Sequence, residues 1–98
     1  MRVSVVVATY QHERFIADAL DGILAQDVDF PWEIVVGDDA STDATRDIVR
    51  DFQRRHPDLI RTHFPDRNLG RGGRPIFAQM VNAARGDYIA MLDGDDYW

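Results

Sequence analysis

The 98-residue sequence has no cysteine, no excess of basic residues and no long apolar run. Without cysteine, disulfides, zinc–thiolate sites and thiol nucleophiles are excluded, and a cytosolic compartment is compatible. With 11 basic against 17 acidic residues, the formal charge of −6 argues against nonspecific binding to nucleic acid or to anionic membranes. The opening residues 1–8 are too short to form a signal peptide or a membrane span.

Short apolar runs alternate with amphipathic segments along the chain. Runs rich in β-branched residues at 3–9 and 32–37 predict buried strands. A weaker strand is predicted at 59–64 and a fourth strand at 88–92. Apolar residues at helical spacing predict three helices with the buried stripes Ile16, Ala19, Leu20, Ile23, Leu24; Ile48, Val49, Phe52; and Ile76, Phe77, Met80, Val81, Ala84. The order βαβαβαβ predicts a single α/β domain over residues 1–98, a Rossmann-like three-layer α/β/α arrangement around a parallel sheet.

Polar residues follow three of the predicted strands, at 9–11, 38–39 and 93–96. In doubly wound sheets, ligands bind beyond the carboxyl ends of the strands, where the strand order reverses. The sequence therefore predicts that these three segments meet at one edge of the sheet.

The most informative of these segments is Asp93-Gly94-Asp95-Asp96. Three neighbouring carboxylates repel one another unless a hard divalent cation binds them, so we expect Mg²⁺ or Mn²⁺ here, bridging to a diphosphate. The alternative is a solvated turn after a strand. Three acids directly after a buried strand favour the metal site, because desolvation of unpaired carboxylates is costly.

Two further segments carry candidate ligand-binding groups. Asp39 is expected to accept a hydrogen bond from the imino group of a uracil-like base or from a ribose hydroxyl, whereas Asp38 is as readily a structural or capping residue. The Tyr10 ring offers a stacking face, unless it packs in the first crossover. Ser41 and Thr42 are predicted to cap the second helix.

The glycine-rich segment at 68–74 predicts a mobile loop. Its arginines, Arg71 and Arg74, are either phosphate ligands or solvated charges. The three histidines are too scattered along the chain to predict a metal site.

Three stretches together resemble the amino-terminal, donor-binding half of a family 2 glycosyltransferase with the GT-A fold. They read Val-Ser-Val-Val-Val-Ala-Thr-Tyr-Gln-His-Glu at 3–13, Val-Gly-Asp-Asp-Ala-Ser-Thr-Asp at 36–43, and Gly-Asp-Tyr-Ile-Ala-Met-Leu-Asp-Gly-Asp-Asp-Tyr-Trp at 86–98. The resemblance covers the whole chain and implies a UDP-, GDP- or dTDP-sugar donor with Mg²⁺ or Mn²⁺. It also implies transfer to the hydroxyl of an acceptor glycan or lipid-linked sugar, usually with inversion.

The resemblance also implies roles for individual residues. By position in the family's motifs, the segment that binds base and ribose is matched by Ala8, Thr9, Tyr10 and Glu13, and the acid that recognises the base is matched by Asp39. Arg71 matches a residue that contacts the diphosphate. Asp93 matches a ribose or metal ligand, Asp95 matches a metal ligand, and Asp96 is a further candidate metal ligand. Gln11 departs from the Asn that the family usually has there. The family further implies cell-envelope polysaccharide biosynthesis in the cytoplasm, peripheral to the inner face of the membrane.

The family's general base and acceptor-binding half lie beyond the Asp-x-Asp motif, so we expect a chain truncated after that motif and inactive in transfer by itself. Two other functions stay open: a noncatalytic nucleotide-binding or interaction module, and an aspartate-nucleophile phosphatase using Asp93. The fourth strand is expected to form an exposed sheet edge through which the chain forms homo-oligomers.

Overall fold

The computed structural model describes residues 2–10, 12–26, 28–69 and 74–93. Strands and helices alternate in the order β1 (Val3–Thr9), α1 (Ile16–Leu24), β2 (Trp32–Asp38), α2 (Thr45–Arg55), β3 (Ile60–His63), α3 (Arg74–Ala83) and β4 (Tyr88–Asp93). This is the predicted order, and each strand begins and ends within one residue of the predicted positions. No helix in these ranges is long and apolar enough to span a bilayer.

The strands form one parallel sheet in the order β3-β2-β1-β4. The chain proceeds from β1 through β2 to β3 on one side, and α3 then returns it to the opposite side of β1. The strand order therefore reverses between β1 and β4. Parallel α/β sheets form their ligand crevice at such a reversal, above the carboxyl ends of the strands.

Each face of the sheet carries its own apolar cluster, because successive side chains of a strand point to opposite faces. On one face, α1 and α2 pack over the sheet in a cluster of Val5, Val7, Ile16, Leu20, Ile34, Val36, Val49, Phe52 and Ile60. On the other, α3 packs in a cluster of Val6, Ala8, Val35, Ile76 and Met80. The three-layer α/β/α arrangement and the predicted buried helix faces are thus confirmed.

A buried polar cluster lies near the amino ends of the strands, opposite the ligand crevice. The Glu33 carboxylate accepts hydrogen bonds from the Ser4 hydroxyl at 2.6 Å, the Arg85 backbone N–H at 2.6 Å and the Arg61 guanidinium at 3.1 Å. The Ser4 oxygen in turn accepts the Gly86 N–H at 2.8 Å. Burial acts to raise the pKa of Glu33, but these donors together lower that pKa below its ordinary value.

Candidate functional site

The parallel register brings the three predicted segments to the carboxyl edge of the sheet. Thr9 of β1 is aligned with Asp38 of β2, and Ala8 is aligned with Asp93 of β4. The Asp39 N–H donates to the Thr9 carbonyl at 2.9 Å, which continues the pairing of β1 and β2 past the strand ends. The predicted meeting of the segments is confirmed for residues 8–10, 38–39 and 93, whereas Gln11 and residues 94–98 lie outside the described ranges.

The β1 side of the edge combines two buried residues with one exposed ring. Ala8 belongs to the cluster under α3, and the Thr9 side chain is buried with its hydroxyl 3.0 Å from Nδ1 of His12. Tyr10, by contrast, is 44% exposed. Its ring is therefore available for stacking, which disfavours the alternative that it packs inside the first crossover.

Asp38 is a structural residue. It is fully buried, and its carboxylate forms an ion pair with Nε of Arg46 at 2.9 Å. The same carboxylate accepts the Ser41 N–H at 3.1 Å and the Ser41 hydroxyl. Because these partners satisfy a charge that is otherwise costly to bury, the structural interpretation of Asp38 holds.

Arg46 was not singled out by the sequence reasoning. Its Nη2 donates to the carbonyls of Asp38 at 3.0 Å and Pro65 at 3.2 Å, and its guanidinium lies 4.6 Å from the centre of the Phe64 ring. It thereby joins the ends of β2 and β3. One signal was present in the sequence: a cation in the first turn of a helix opposes the helix dipole, so a compensating acid is expected nearby.

Asp39 is only 4% exposed and is held by a segment that was predicted to be mobile. Its Oδ1 accepts the Leu69 N–H at 2.7 Å, and its backbone carbonyl accepts the side-chain amide of Asn68 at 2.9 Å. Residues 68 and 69 of this segment thus contact Asp39, which supplies them with acceptors. Arg71, the predicted diphosphate contact, lies outside the described ranges.

Glu13 links the starts of α1 and α2. Its exposed carboxylate accepts the Ala44 N–H at 3.3 Å, and its own N–H donates to Asp43 at 3.4 Å. Asp43 also accepts the Thr45 N–H at 2.9 Å. Burial acts to raise the pKa of Asp43, but the hydrogen bonds that it accepts from Thr45 and Glu13 lower that pKa overall. These contacts place Glu13 beside the candidate site without testing the predicted contact to a nucleotide.

The predicted capping of α2 by Ser41 and Thr42 is wrong. The helix begins at Thr45, and Ala44, whose side chain cannot cap, occupies the N-cap position. Ser41 bonds instead to Asp38.

The predicted metal ligands fall at the limit of the described chain. Asp93 closes β4, while Asp95 and Asp96 lie outside the described ranges. Within the ranges that are described, no group of three or more His, Asp or Glu residues is arranged to hold a metal ion. The metal site therefore stays a prediction, as do the nucleotide contacts of Ala8, Thr9, Tyr10, Glu13, Asp39, Arg71 and Asp93.

Comparison with known proteins identifies the class. Residues 4–98 match the family described as glycosyl transferase family 2. The chain therefore belongs to this family. It is 43% identical over 96 residues to an uncharacterized protein of Mycobacterium tuberculosis, covering 98% of this chain and 27% of that protein.

Two solved structures share the fold. The mannosyltransferase PcManGT from Pyrobaculum calidifontis, in complex with GDP-Man and Mn²⁺, superposes with a TM-score of 0.83 at 32% identity over 98% of this chain and 28% of that one. TarS of Staphylococcus aureus, a poly(ribitol-phosphate) β-N-acetylglucosaminyltransferase solved with UDP-GlcNAc, gives 0.82 at 35% identity, over 99% of this chain and 27% of that one. The predicted GT-A fold is confirmed, and the chain spans less than a third of each of these relatives.

Proposed function

We propose that this chain binds the nucleotide-diphospho-sugar donor of a glycosyl transfer, together with a divalent cation, at the carboxyl edge of its sheet. The observation that carries the proposal is the register. Pairing Thr9 with Asp38 and Ala8 with Asp93 brings the three family motifs to one crevice at the reversal of strand order. The relatives solved with GDP-Man and with UDP-GlcNAc support a donor of this class.

The base and ribose of the donor would bind on the β1–β2 side of the crevice. The exposed Tyr10 ring supplies a stacking surface, and the Asp39 carboxylate accepts an N–H from the base. Ala8, Thr9 and Glu13 complete this side: the first two shape its floor, and Glu13 links the starts of α1 and α2. Arg71 would contact the diphosphate, since a guanidinium suits phosphate oxygens.

The cation would be held by Asp93, Asp95 and Asp96. These residues supply only carboxylate oxygens, which is the donor set that Mg²⁺ and Mn²⁺ prefer, and β4 delivers the first of them to the crevice. A bound divalent cation neutralises charge on the departing nucleoside diphosphate.

Transfer to an acceptor hydroxyl, with inversion, would use residues outside these 98. We assign no general base within them, and the relatives are each more than three times as long as the segment they share with this chain. The acceptor, a glycan or a lipid-linked sugar, would bind to that remaining part.

The test is calorimetric titration of the chain with UDP, GDP and dTDP, each with and without Mn²⁺. We expect one nucleotide to bind, and Mn²⁺ to be required. Asp95→Ala should weaken nucleotide binding at least about tenfold. Removing a residue that only supports a metal ligand already costs roughly tenfold in metal affinity, and Asp95 is proposed to be a ligand itself. The matched control is Asp58→Ala, which removes an exposed acid just before β3, at the opposite edge of the sheet.

Binding of equal strength without Mn²⁺ and in Asp95→Ala would contradict the proposal. It would favour the noncatalytic nucleotide-binding module. Robust sugar transfer by the 98 residues alone would contradict the assignment of the general base to another part of the protein.

A further inference from the structure

Asp39 is fixed at its backbone and at its side chain by separate parts of the chain. Its N–H donates to the Thr9 carbonyl at 2.9 Å, and its carbonyl accepts the Asn68 amide at 2.9 Å. Its Oδ1 accepts the Leu69 N–H at 2.7 Å. The direction of the carboxylate therefore depends on residues 68–69 as well as on β1.

The backbone on either side of Asp39 explains why such support is needed. The strand has ended at Asp38, and Ala40 adopts a φ of 60°, the left-handed region that L-residues rarely occupy. The Ala40 N–H donates to the Asp38 carbonyl at 2.8 Å, so the chain reverses sharply there. Asp39 lies at this turn, where the β1–β2 pairing ends with its own N–H bond to Thr9, and the bonds from residues 68–69 add a second constraint.

The two residues of the support contribute differently. Leu69 packs against the apolar cluster under α3, so its N–H is presented from a fixed position. Asn68 is exposed, and it contributes to the site through the hydrogen bond that its side-chain amide donates to the Asp39 carbonyl, not through packing. Asn68 can therefore be changed without opening a cavity.

We propose that Asn68 is a positioning residue that, with Leu69, aims the Asp39 carboxylate at the base and so sets the base preference of the site. This inference rests on the proposed function. An ionised carboxylate is an acceptor only. It pairs with the ring N–H of uracil or guanine, whereas the corresponding ring nitrogen of cytosine or adenine is itself an acceptor. Discrimination of this kind depends on the polar group being held in position.

The experiment measures the dissociation constants of UDP, CDP, GDP and ADP in the presence of Mn²⁺. The wild type is expected to bind UDP more tightly than CDP, or GDP more tightly than ADP, because only the first of each pair has a ring N–H. The ratio of dissociation constants should be about tenfold, which is the scale of one hydrogen bond to a charged group. Asp39→Asn should abolish or invert this ratio. Asn68→Ala should reduce the ratio to within about threefold of unity, because an Asp39 that has lost the bond to its backbone carbonyl is oriented less tightly and discriminates less.

The matched control is Asn82→Ala, which removes the same exposed side chain from α3 and should leave the ratio unchanged. Thermal unfolding of each variant is measured alongside. A purely structural role for Asn68 would lower the unfolding midpoint, or weaken all four nucleotides equally, and leave the ratio unchanged; that result would overturn the inference.

The remaining outcomes separate the inference from the function on which it rests. If Asp39→Asn loses the preference and Asn68→Ala keeps it, the base-recognition role of Asp39 stands and the positioning role of Asn68 is wrong. If the wild type itself shows no preference between the paired nucleotides, the proposed role of Asp39 fails, and the inference fails with it.

Discussion

At the scale of single residues, Asp38 and Asp39 show how adjacent identical side chains acquire different roles. Asp38 is fully buried and paired with Arg46, whereas Asp39 turns toward the backbone of Leu69 at the ligand edge. The dipeptide alone could not decide the role of Asp38. What does so is the position of Arg46, which depends on where α2 begins and how it packs, and those are tertiary properties.

The ion pair gives a direct stability prediction. Arg46→Met should lower the free energy of unfolding by about 2 kcal/mol or more, because the buried Asp38 charge then lacks its partner. Arg50→Met is the matched control: Arg50 also lies over the Phe64 ring, but it is largely exposed, so its loss should change stability by less than about 0.5 kcal/mol. Chemical denaturation of both variants measures the difference.

A double-mutant cycle tests the cause of that loss. Adding Asp38→Asn to Arg46→Met removes the unpaired charge, so the double variant should be more stable than the sum of the single effects implies. Strict additivity would show that Arg46 acts through its contacts to Phe64 and the Pro65 carbonyl instead.

At the scale of elements, the strands and the buried helix faces could be predicted from the sequence, whereas the start of α2 and the contacts of residues 68–69 could not. The β-branched run of β1 is buried on both faces, a local pattern with a direct structural meaning. The start of α2, by contrast, depends on Glu13, which accepts the Ala44 N–H from 31 positions away. Asn68 bonds to Asp39 across 29 positions, a relation that no local pattern encodes.

Three glycines, one in α1, one in β2 and one between α3 and β4, should respond differently to alanine. A Cβ at Gly86 would lie 2.6 Å from the backbone nitrogen of Ser4, so Gly86→Ala should destabilise by about 1 to 3 kcal/mol or more. At Gly37 the Cβ would meet the sulfur of Met80, but this is the end of a flexible side chain, so the loss of stability should be smaller. Thermal or chemical denaturation gives the order.

Gly22 is the control for this series. It lies within α1, and nothing stands within 4 Å of an added Cβ, so Gly22→Ala should stabilise the chain by about 0.5 to 1 kcal/mol through helix propensity. If Gly37→Ala destabilises the chain as much as Gly86→Ala, the Met80 side chain does not rearrange, and α3 is packed rigidly on β2.

At the scale of the whole molecule, the buried Glu33 cluster joins parts of the chain that are far apart in sequence. It connects β1 through Ser4, β3 through Arg61 and the α3–β4 connection through the Arg85 N–H. It lies at the edge opposite the candidate site, so it can be altered without touching the proposed donor contacts.

The lowered pKa of Glu33 predicts a pH dependence of stability. A carboxyl whose pKa is lower in the folded than in the unfolded state stabilises the fold above its ordinary pKa, about 4.3, and loses that contribution as the pH falls through the folded value. Glu33→Gln should therefore cost about 1 to 3 kcal/mol at pH 7, and the difference from the wild type should narrow below about pH 4. Urea denaturation across this range measures it, and a difference independent of pH would contradict the assignment.

The outer strand β4 exposes apolar side chains that the rest of the described chain does not cover. Tyr88 is 62% exposed, Ile89 40% and Met91 48%. On the α1 face an apolar cleft of about 390 Å³ opens beside Ala90. A strand edge of this kind pairs readily with another chain.

We therefore predict that the chain self-associates through β4. Sedimentation velocity over a concentration series should show a reversible shift toward a dimer, which Ile89→Lys with Met91→Lys should suppress, because lysines on an edge strand oppose pairing. Phe15→Lys is the matched control, since Phe15 is 42% exposed but belongs to the start of α1 and not to β4. A monomer at every concentration, or equal suppression by Phe15→Lys, would show that β4 does not direct the association.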